Sequence, residues 1–265
     1  MLPISAIIPC YDDRATLGRA IESCIAQRNV AQIIVVDDAS TDGTADVARV
    51  WAARDPRIAL LRCASNGGVA RARNWAALHA TQPLLAFLDA DDEYLPDALT
   101  SPAAYLEHRA DAAAVRLDVE FAGFPPEIVT HPDFEQHAAT LSCTVPSSLV
   151  IRRAAYLALG GFPMDEFFRI KGGEDGAFSW ALATIFGNPR LVDAKRVRMH
   201  FHADIFAERY FRIRMGMWTV TDDEVAQSVE MSRRFVETAS ANVAQLRALG
   251  LAQHAAAPAS RDPAR

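Results

Sequence analysis

With 265 residues, 51% of them hydrophobic, the chain is long enough to bury a full core as one domain or one domain with an appendage. A formal charge of −6 excludes the broadly basic surface of a general nucleic-acid binder, though not a nucleotide ligand whose phosphates a metal could meet. The four cysteines are widely spaced with no CxxC pair, which argues against a zinc site and fits reduced, structural thiols of a cytosolic protein.

The first residues, MLPISAIIPCY, read as a strand and not as a basic leader. Ile4–Pro9 is strand-like, and Ala15–Gln27 has helical spacing through Leu17, Ala20, Ile21, Cys24 and Ile25. A second strand is expected at Ile33–Val36, then a helix from Thr41 to Arg54, a third strand at Ile58–Leu61, a helix over Val69–Ala80 and a fourth strand at Leu84–Leu88. Strands alternating with helices imply right-handed βαβ units and a parallel sheet. From Asp111 the rhythm changes. Ala113–Phe121 and Val145–Ile151 look like strands, and Gly123–His137, rich in proline and acids, reads as a loop or flap. Arg153–Leu159 is a short helix stopping at Gly160-Gly161, Glu174–Phe186 is helical, and Leu191–His202 is extended. Helical patterns then run from Phe206 to about Leu249, and the last residues, from 251, read as a disordered tail. No stretch approaches the roughly 20 apolar residues of a membrane span. The expected location is therefore cytoplasmic, with peripheral recruitment to the inner face of the membrane if a membrane is involved. The amphipathic stretch Val225–Leu249 could pair with a second copy of the chain or, more ordinarily, pack on its own core.

The loops after all four early strands carry the polar and glycine-rich sequences, which gathers them on one sheet edge, where open α/β sheets bind ligands. LLAFLDADD ends an apolar run in Asp89, Asp91 and Asp92. Three carboxylates there resist desolvation unless a cation sits among them, and hard oxygen donors suit Mg2+ or Mn2+; helix capping is the bland alternative. PCYDD offers Tyr11 to stack on a flat ring and an adjacent acid, Asp12 or Asp13, to bond a base or ribose. In VVDDASTDGT, Asp38 is the better reader of a base edge, while Ser40 or Thr41 caps the next helix. ASNGGVARARN makes a tight turn at Asn66, Gly67 and Gly68 into a helix N-terminus that can receive a phosphate, without matching a P-loop or a dinucleotide fingerprint. GGEDGAFSWAL puts Glu174 and Asp175 in a first helical turn, where acids complement the dipole or serve as a base. In MHFHAD, His200 and His202 share a face at strand spacing, and either could join Asp91 at a metal.

Together, PCYDD, VDDASTDGT, the N-x-G-x-A-R-x-R-N pattern, LDADD, the LGGF turn at Leu159–Phe162 and GED at Gly173–Asp175 resemble family-two glycosyltransferases of the GT-A fold. The match in order and spacing covers roughly residues 1–205. It implies a single GT-A-like α/β domain with a mostly parallel twisted sheet flanked by helices. Residues 1–110 form its nucleotide half and 111–205 its acceptor half, with a helical extension over 206–250. It also implies a nucleotide-sugar donor, most often UDP-linked, and Mn2+ or Mg2+. Carried over, Tyr11 and Asp38 contact the base, Asp89 the ribose, and Asp91 the metal bridging the diphosphate. Asp92 orients the sugar or the groups around the metal. Pro9, Asp13, Asn66, Gly68, Arg73 and Ala90 complete the donor site. Asp175 is the base of an inverting transfer with Glu174 beside it, and His202 assists the metal.

The chain departs from the pattern at Ala181, where relatives commonly carry arginine, and Met215–Trp218 does not supply a QxxRW segment. A single-transfer enzyme is therefore expected over a processive synthase. The acceptor, a glycan, a lipid-linked or another hydroxyl compound, is expected against Gly123–His137 and Ser147–Arg169. Two other readings compete. Sugar-phosphate nucleotidyl transfer is disfavoured because no glycine- and lysine-rich triphosphate loop follows the first strand. The other is a non-catalytic GT-A-like binding protein that works through its C-terminal helices.

Overall fold

The computed structural model describes residues 1–255, with side chains to residue 249. Its elements, in chain order, begin with β1 (Ile4–Cys10), α1 (Leu17–Ile25), β2 (Val30–Asp37), α2 (Thr44–Ala52), β3 (Ile58–Arg62), α3 (Val69–His79) and β4 (Leu84–Phe87). There follow β5 (Glu93–Tyr94), α4 (Thr100–His108), β6 (Ala114–Ala122), α5 (Pro126–Val129), α6 (Phe134–Ser142), β7 (Leu149–Arg152), α7 (Arg153–Leu159) and α8 (Glu166–Lys171). The chain continues through α9 (Glu174–Phe186), β8 (Arg190–His200), α10 (Phe206–Arg214) and α11 (Asp222–Ala255).

One eight-stranded sheet, ordered β3-β2-β1-β4-β7-β6-β8-β5, runs through the molecule. Its first four strands are parallel, with Ile7 opposite both Ile34 and Phe87. The second half mixes directions: β7 is antiparallel to β4 and β6, β8 is parallel to β6, and β5 is antiparallel to β8. β1 is buried along its whole length, so its side chains supply two cores by alternation. Ile4, Ala6 and Ile8 pack with Leu17, Ile21 and Cys24 of α1 on one face. Ile7, Ile34 and Phe87 pack on the other with Ala72 and Ala76 of α3 and Phe178 and Leu182 of α9. The small residues of α3 let it lie close to the sheet. A cluster of Phe87, Tyr156, Phe162 and Phe178 fills the space behind, with Phe162 and Phe178 centroids 4.6 Å apart.

The segment 123–137 is not the loop its composition predicts. Prolines open α5, where a missing amide costs nothing. In α6, Phe134, His137, Ala138 and Leu141 fall at helical spacing, and the last three are buried. The C-terminal helical region divides into α10 and α11. The middle of α11 packs inside the molecule: Ala239 and Val243 are buried in the core that includes Phe178 and Leu182, with Phe235 and Val236 against it. Thus the centre of the amphipathic stripe is used within the chain. Of the tail expected from 251, residues 251–255 continue α11 instead, and the rest lies outside the described residues. No described helix is long and apolar enough to cross a membrane.

Candidate functional site

A cleft of about 740 Å³ opens at the carboxyl edge of the parallel strands. The residues that the family resemblance carries over to the site line it: Pro9, Tyr11, Asp13, Asp38, Asn66, Gly68, Arg73, Asp89, Ala90, Asp91, Asp92, Glu174, Asp175 and His202; Asp12 and His200, the alternatives within their motifs, do not. They come from the ends of β1, β2 and β4, the start of α3, the start of α9 and the segment after β8.

The loops lining the cleft are laced together. Asp12 donates its amide to Ser40 Oγ at 3.0 Å and accepts the Thr41 amide at 2.8 Å. The Arg14 amide bonds Asp42 at 3.0 Å. Asp38 is buried, and its carboxylate accepts the amides of Gly67 (2.9 Å) and Gly68 (2.8 Å). It therefore holds the turn into α3 as well as facing the cleft. Gly68 needs its missing side chain: φ is +87°, and a Cβ would lie 3.0 Å from Arg169 Cγ. Tyr11 is half exposed, as a stacking platform requires, and its amide donates to Asp13 Oδ2 at 2.8 Å.

Arg73 is the buried hub of the acidic wall. It donates to Asp89 Oδ1 at 2.5 Å and to Glu174 Oε1 at 3.1 Å, with its guanidinium 5.2 Å above the Phe162 ring. Burial disfavours its charge, yet Asp89 and Glu174 more than offset this and hold it above the ordinary arginine value. Arg73 and Glu174 thus form a clasp between the carboxylate loop and α9. That leaves the neighbouring Asp175 as the freer acid. Burial, then Glu174, push Asp175 up to about 7, against the opposing Gly176 amide and Arg73. A carboxyl poised there can accept a proton near neutral pH.

The two histidines take different partners because of where β8 ends. The strand stops at His200, so alternation no longer fixes the direction of His202. His200 Nε2 meets Glu93 at 3.1 Å, whereas His202 Nε2 meets Asp91 Oδ2 at 2.7 Å. Burial, then Asp89, raise Asp91 while His202 lowers it. Asp92 is deeper; burial, then Asp91 and Asp89, push it well above its usual range. Its Oδ2 accepts from Ser147 Oγ at 2.7 Å, and its Oδ1 is buried without a partner. Asp13 is raised to about 6, by burial first and by Asp91 and Asp89, against the Tyr11 amide.

Among the described residues no three His, Cys, Asp or Glu side chains converge as a closed cage. Asp91 and His202 offer one oxygen and one nitrogen donor at the cleft. Magnesium-type ions are held this way, by one or two protein ligands with substrate phosphates supplying the rest. The donor set therefore fits a metal that arrives with a diphosphate.

Three supporting residues were not legible in advance. Ser147 joins Asp92 to the Asp89 amide, which bonds Ser147 Oγ at 3.1 Å. Arg19 of α1 bonds the Asp91 carbonyl. Asn74 Oδ1 accepts from Tyr156 Oη (2.6 Å) and the Phe162 amide (2.8 Å), gripping the turn at Gly161, where a Cβ would lie 2.4 Å from that oxygen. Only the asparagine had a signal, closing the N-x-G-x-A-R-x-R-N pattern.

The family model for glycosyl transferase family 2 matches residues 5–142, just over half the chain. The chain belongs to glycosyltransferase family 2. The succinoglycan biosynthesis protein ExoU of Rhizobium meliloti is 38% identical over 96 residues, covering 36% of this chain and 28% of that protein. The chain spans less than half the length of these curated relatives, ExoU and ExoO of Rhizobium meliloti and TuaG of Bacillus subtilis. The fold is also that of S. aureus TarS 1–349 in complex with UDP-GlcNAc, with a TM-score of 0.66 and 17% identity over 88% of this chain and 66% of the other. It is shared with the mannosyltransferase PcManGT from Pyrobaculum calidifontis in complex with GDP-Man and Mn2+, with a TM-score of 0.62 and 20% identity over 97% of this chain and 81% of the other. These likenesses establish the GT-A fold that the sequence motifs predict.

Proposed function

We propose that the protein is a metal-dependent, inverting, non-processive glycosyltransferase that moves a sugar from a nucleotide-sugar donor, read as UDP-linked, to an acceptor hydroxyl. The observation that carries this reading is the convergence, in one cleft, of a raised Asp175 with the Asp89–Asp92 loop and His202. TarS with UDP-GlcNAc and PcManGT with GDP-Man and Mn2+ support a nucleotide-sugar donor and a divalent ion on this fold.

Asp91 and His202 would hold Mn2+ or Mg2+, which neutralises charge developing on the diphosphate leaving group. Tyr11 stacks on the base, with Pro9, Asp13, Asp38, Asn66 and Gly68 around base and ribose. Arg73 holds Asp89 toward the ribose, and Ala90 keeps the loop close against the donor. Asp92, fixed by Ser147, faces the sugar. Asp175 removes the acceptor proton from the side of the sugar opposite the diphosphate, and Glu174 anchors its helix through Arg73. Residues 1–110 act as the donor half and 111–205 as the acceptor half. The acceptor is a glycan, a lipid-linked compound or another hydroxyl compound.

Calorimetry with UDP and with GDP, each with and without Mn2+, tests the reading. Binding of UDP that requires Mn2+ is expected. Equal UDP affinity with and without the ion removes the metal from the mechanism, and tighter GDP binding reassigns the base.

A further inference from the structure

Arg116, on β6, is buried completely, yet no carboxylate pairs with it among the described residues. Its Nε donates to Asn188 Oδ1 at 3.0 Å. One terminal nitrogen donates to the Val145 carbonyl at 2.9 Å and Ser148 Oγ at 3.2 Å, with the Thr144 carbonyl at 3.4 Å. The other donates to Ser179 Oγ at 2.6 Å. Neutral oxygens alone satisfy a buried cation here. That is a costly solution, because hydrophobic side chains of similar volume commonly replace buried charges at no loss of stability. Burial lowers its pKa to about 10, so the charge persists at neutral pH.

What the guanidinium touches explains the expense. Ser179 lies one turn after Asp175 on α9, so the two share a helix face. The segment from Thr144 to Ser148 contains Ser147, which holds both the Asp92 carboxylate and the Asp89 amide. Thr144 and Val145 themselves line the cleft. One side chain thus bolts the helix of the base to the back of the carboxylate loop.

We propose that Arg116 is a positioning residue for sugar transfer: its guanidinium fixes the Asp175 helix against the 144–148 segment, and its charge lies behind the base. This rests on the reading of Asp175 as the base. Asp175 accepts the Gly176 amide at 2.7 Å and feels the charges of Glu174, Asp89 and Arg73, while the ionisable groups that act electrostatically on Arg116 are Asp175 and Cys143.

The test is titration of Asp175 by carbon NMR of labelled aspartate carboxyls, assigned by the signal lost in Asp175→Asn. It is run on the full chain without metal or nucleotide. Its outcome is therefore independent of whether UDP or Mn2+ binds. Arg116→Met is expected to raise the Asp175 midpoint by about half a pH unit or more, and Arg116→Lys, which keeps the charge, to restore most of the difference. Ser179→Ala, a smaller change that cuts the tie to α9 and leaves the guanidinium in place, is expected to move the midpoint upward as well. A lowered melting temperature with an unmoved Asp175 titration in Arg116→Met makes Arg116 a structural strut only and overturns the proposal. If Arg116→Met does not fold, an unmoved titration in Ser179→Ala does the same.

Discussion

At the scale of single residues, carboxylates of similar sequence context take different tasks because their neighbours differ. Glu174 and Asp175 are adjacent, but Arg73 engages Glu174 directly while Asp175 is left raised to about 7. Asp175→Asn is therefore expected to keep donor binding and to lower turnover by roughly 10²–10⁴-fold, as loss of a general base does. The wild-type rate should climb through about pH 7 as Asp175 loses its proton and level off above; a rate flat across pH 5–9 in an initial-velocity assay would contradict this. Asp91→Asn is expected to weaken Mn2+-dependent UDP binding by roughly 10–100-fold or more, read by calorimetry, with His202→Ala acting in the same direction. Ser147→Ala strips a partner from Asp92 and from the Asp89 amide at once. It is expected to destabilise the fold by about 1–3 kcal/mol, measured by urea unfolding.

Among the elements, the early strands were legible because they are buried on both faces and read as short apolar runs. The helix α6 was not, because prolines and acids around it mask a face set by Phe134, Ala138 and Leu141. The direction of β7 and β8 was not legible either, since a strand's pattern records which faces are buried and not which neighbour it meets. The long α11 had a periodic stripe that could serve a second copy or its own core. Burial of Ala239 and Val243 against α9 shows its centre serving the core. Val243→Ala is expected to cost about 1–3 kcal/mol in urea unfolding, whereas Val229→Ala, at a half-exposed position of the same helix, should cost well under 1 kcal/mol.

For the molecule as a whole, the cleft is a store of raised carboxyls. Asp13 and Asp175 reach about 6 and about 7 from an ordinary 3.8, and Asp91 and Asp92 are raised as well. Folded, they retain protons that the unfolded chain has already released between about pH 4 and 7. Stability of the metal-free protein should therefore fall as pH rises across that window. Surface acids held low by arginines, such as Asp111 and Glu166, act in the opposite sense, but solvent screens them. Thermal melts at stepped pH check this, and the gain from Mn2+ with UDP should grow over the same range because the metal needs deprotonated ligands. A metal-free melting temperature that rises from pH 4 to 7 would show that the acids are already ionised in the fold.

The sequence by itself determined the alternation of strands and helices, the edge on which the polar loops collect, and the loop acids and glycines that line part of the cleft. Those features are written in local pattern: apolar runs, glycine turns and acids at strand ends. Only the tertiary structure decided that Arg73 clasps Glu174, that His202 and not His200 meets Asp91, and that Ser147 and Arg116 stand behind the acids. Each of those contacts joins segments far apart in the chain. Its partner is chosen by how the sheet orders its strands, and no local spacing encodes that order.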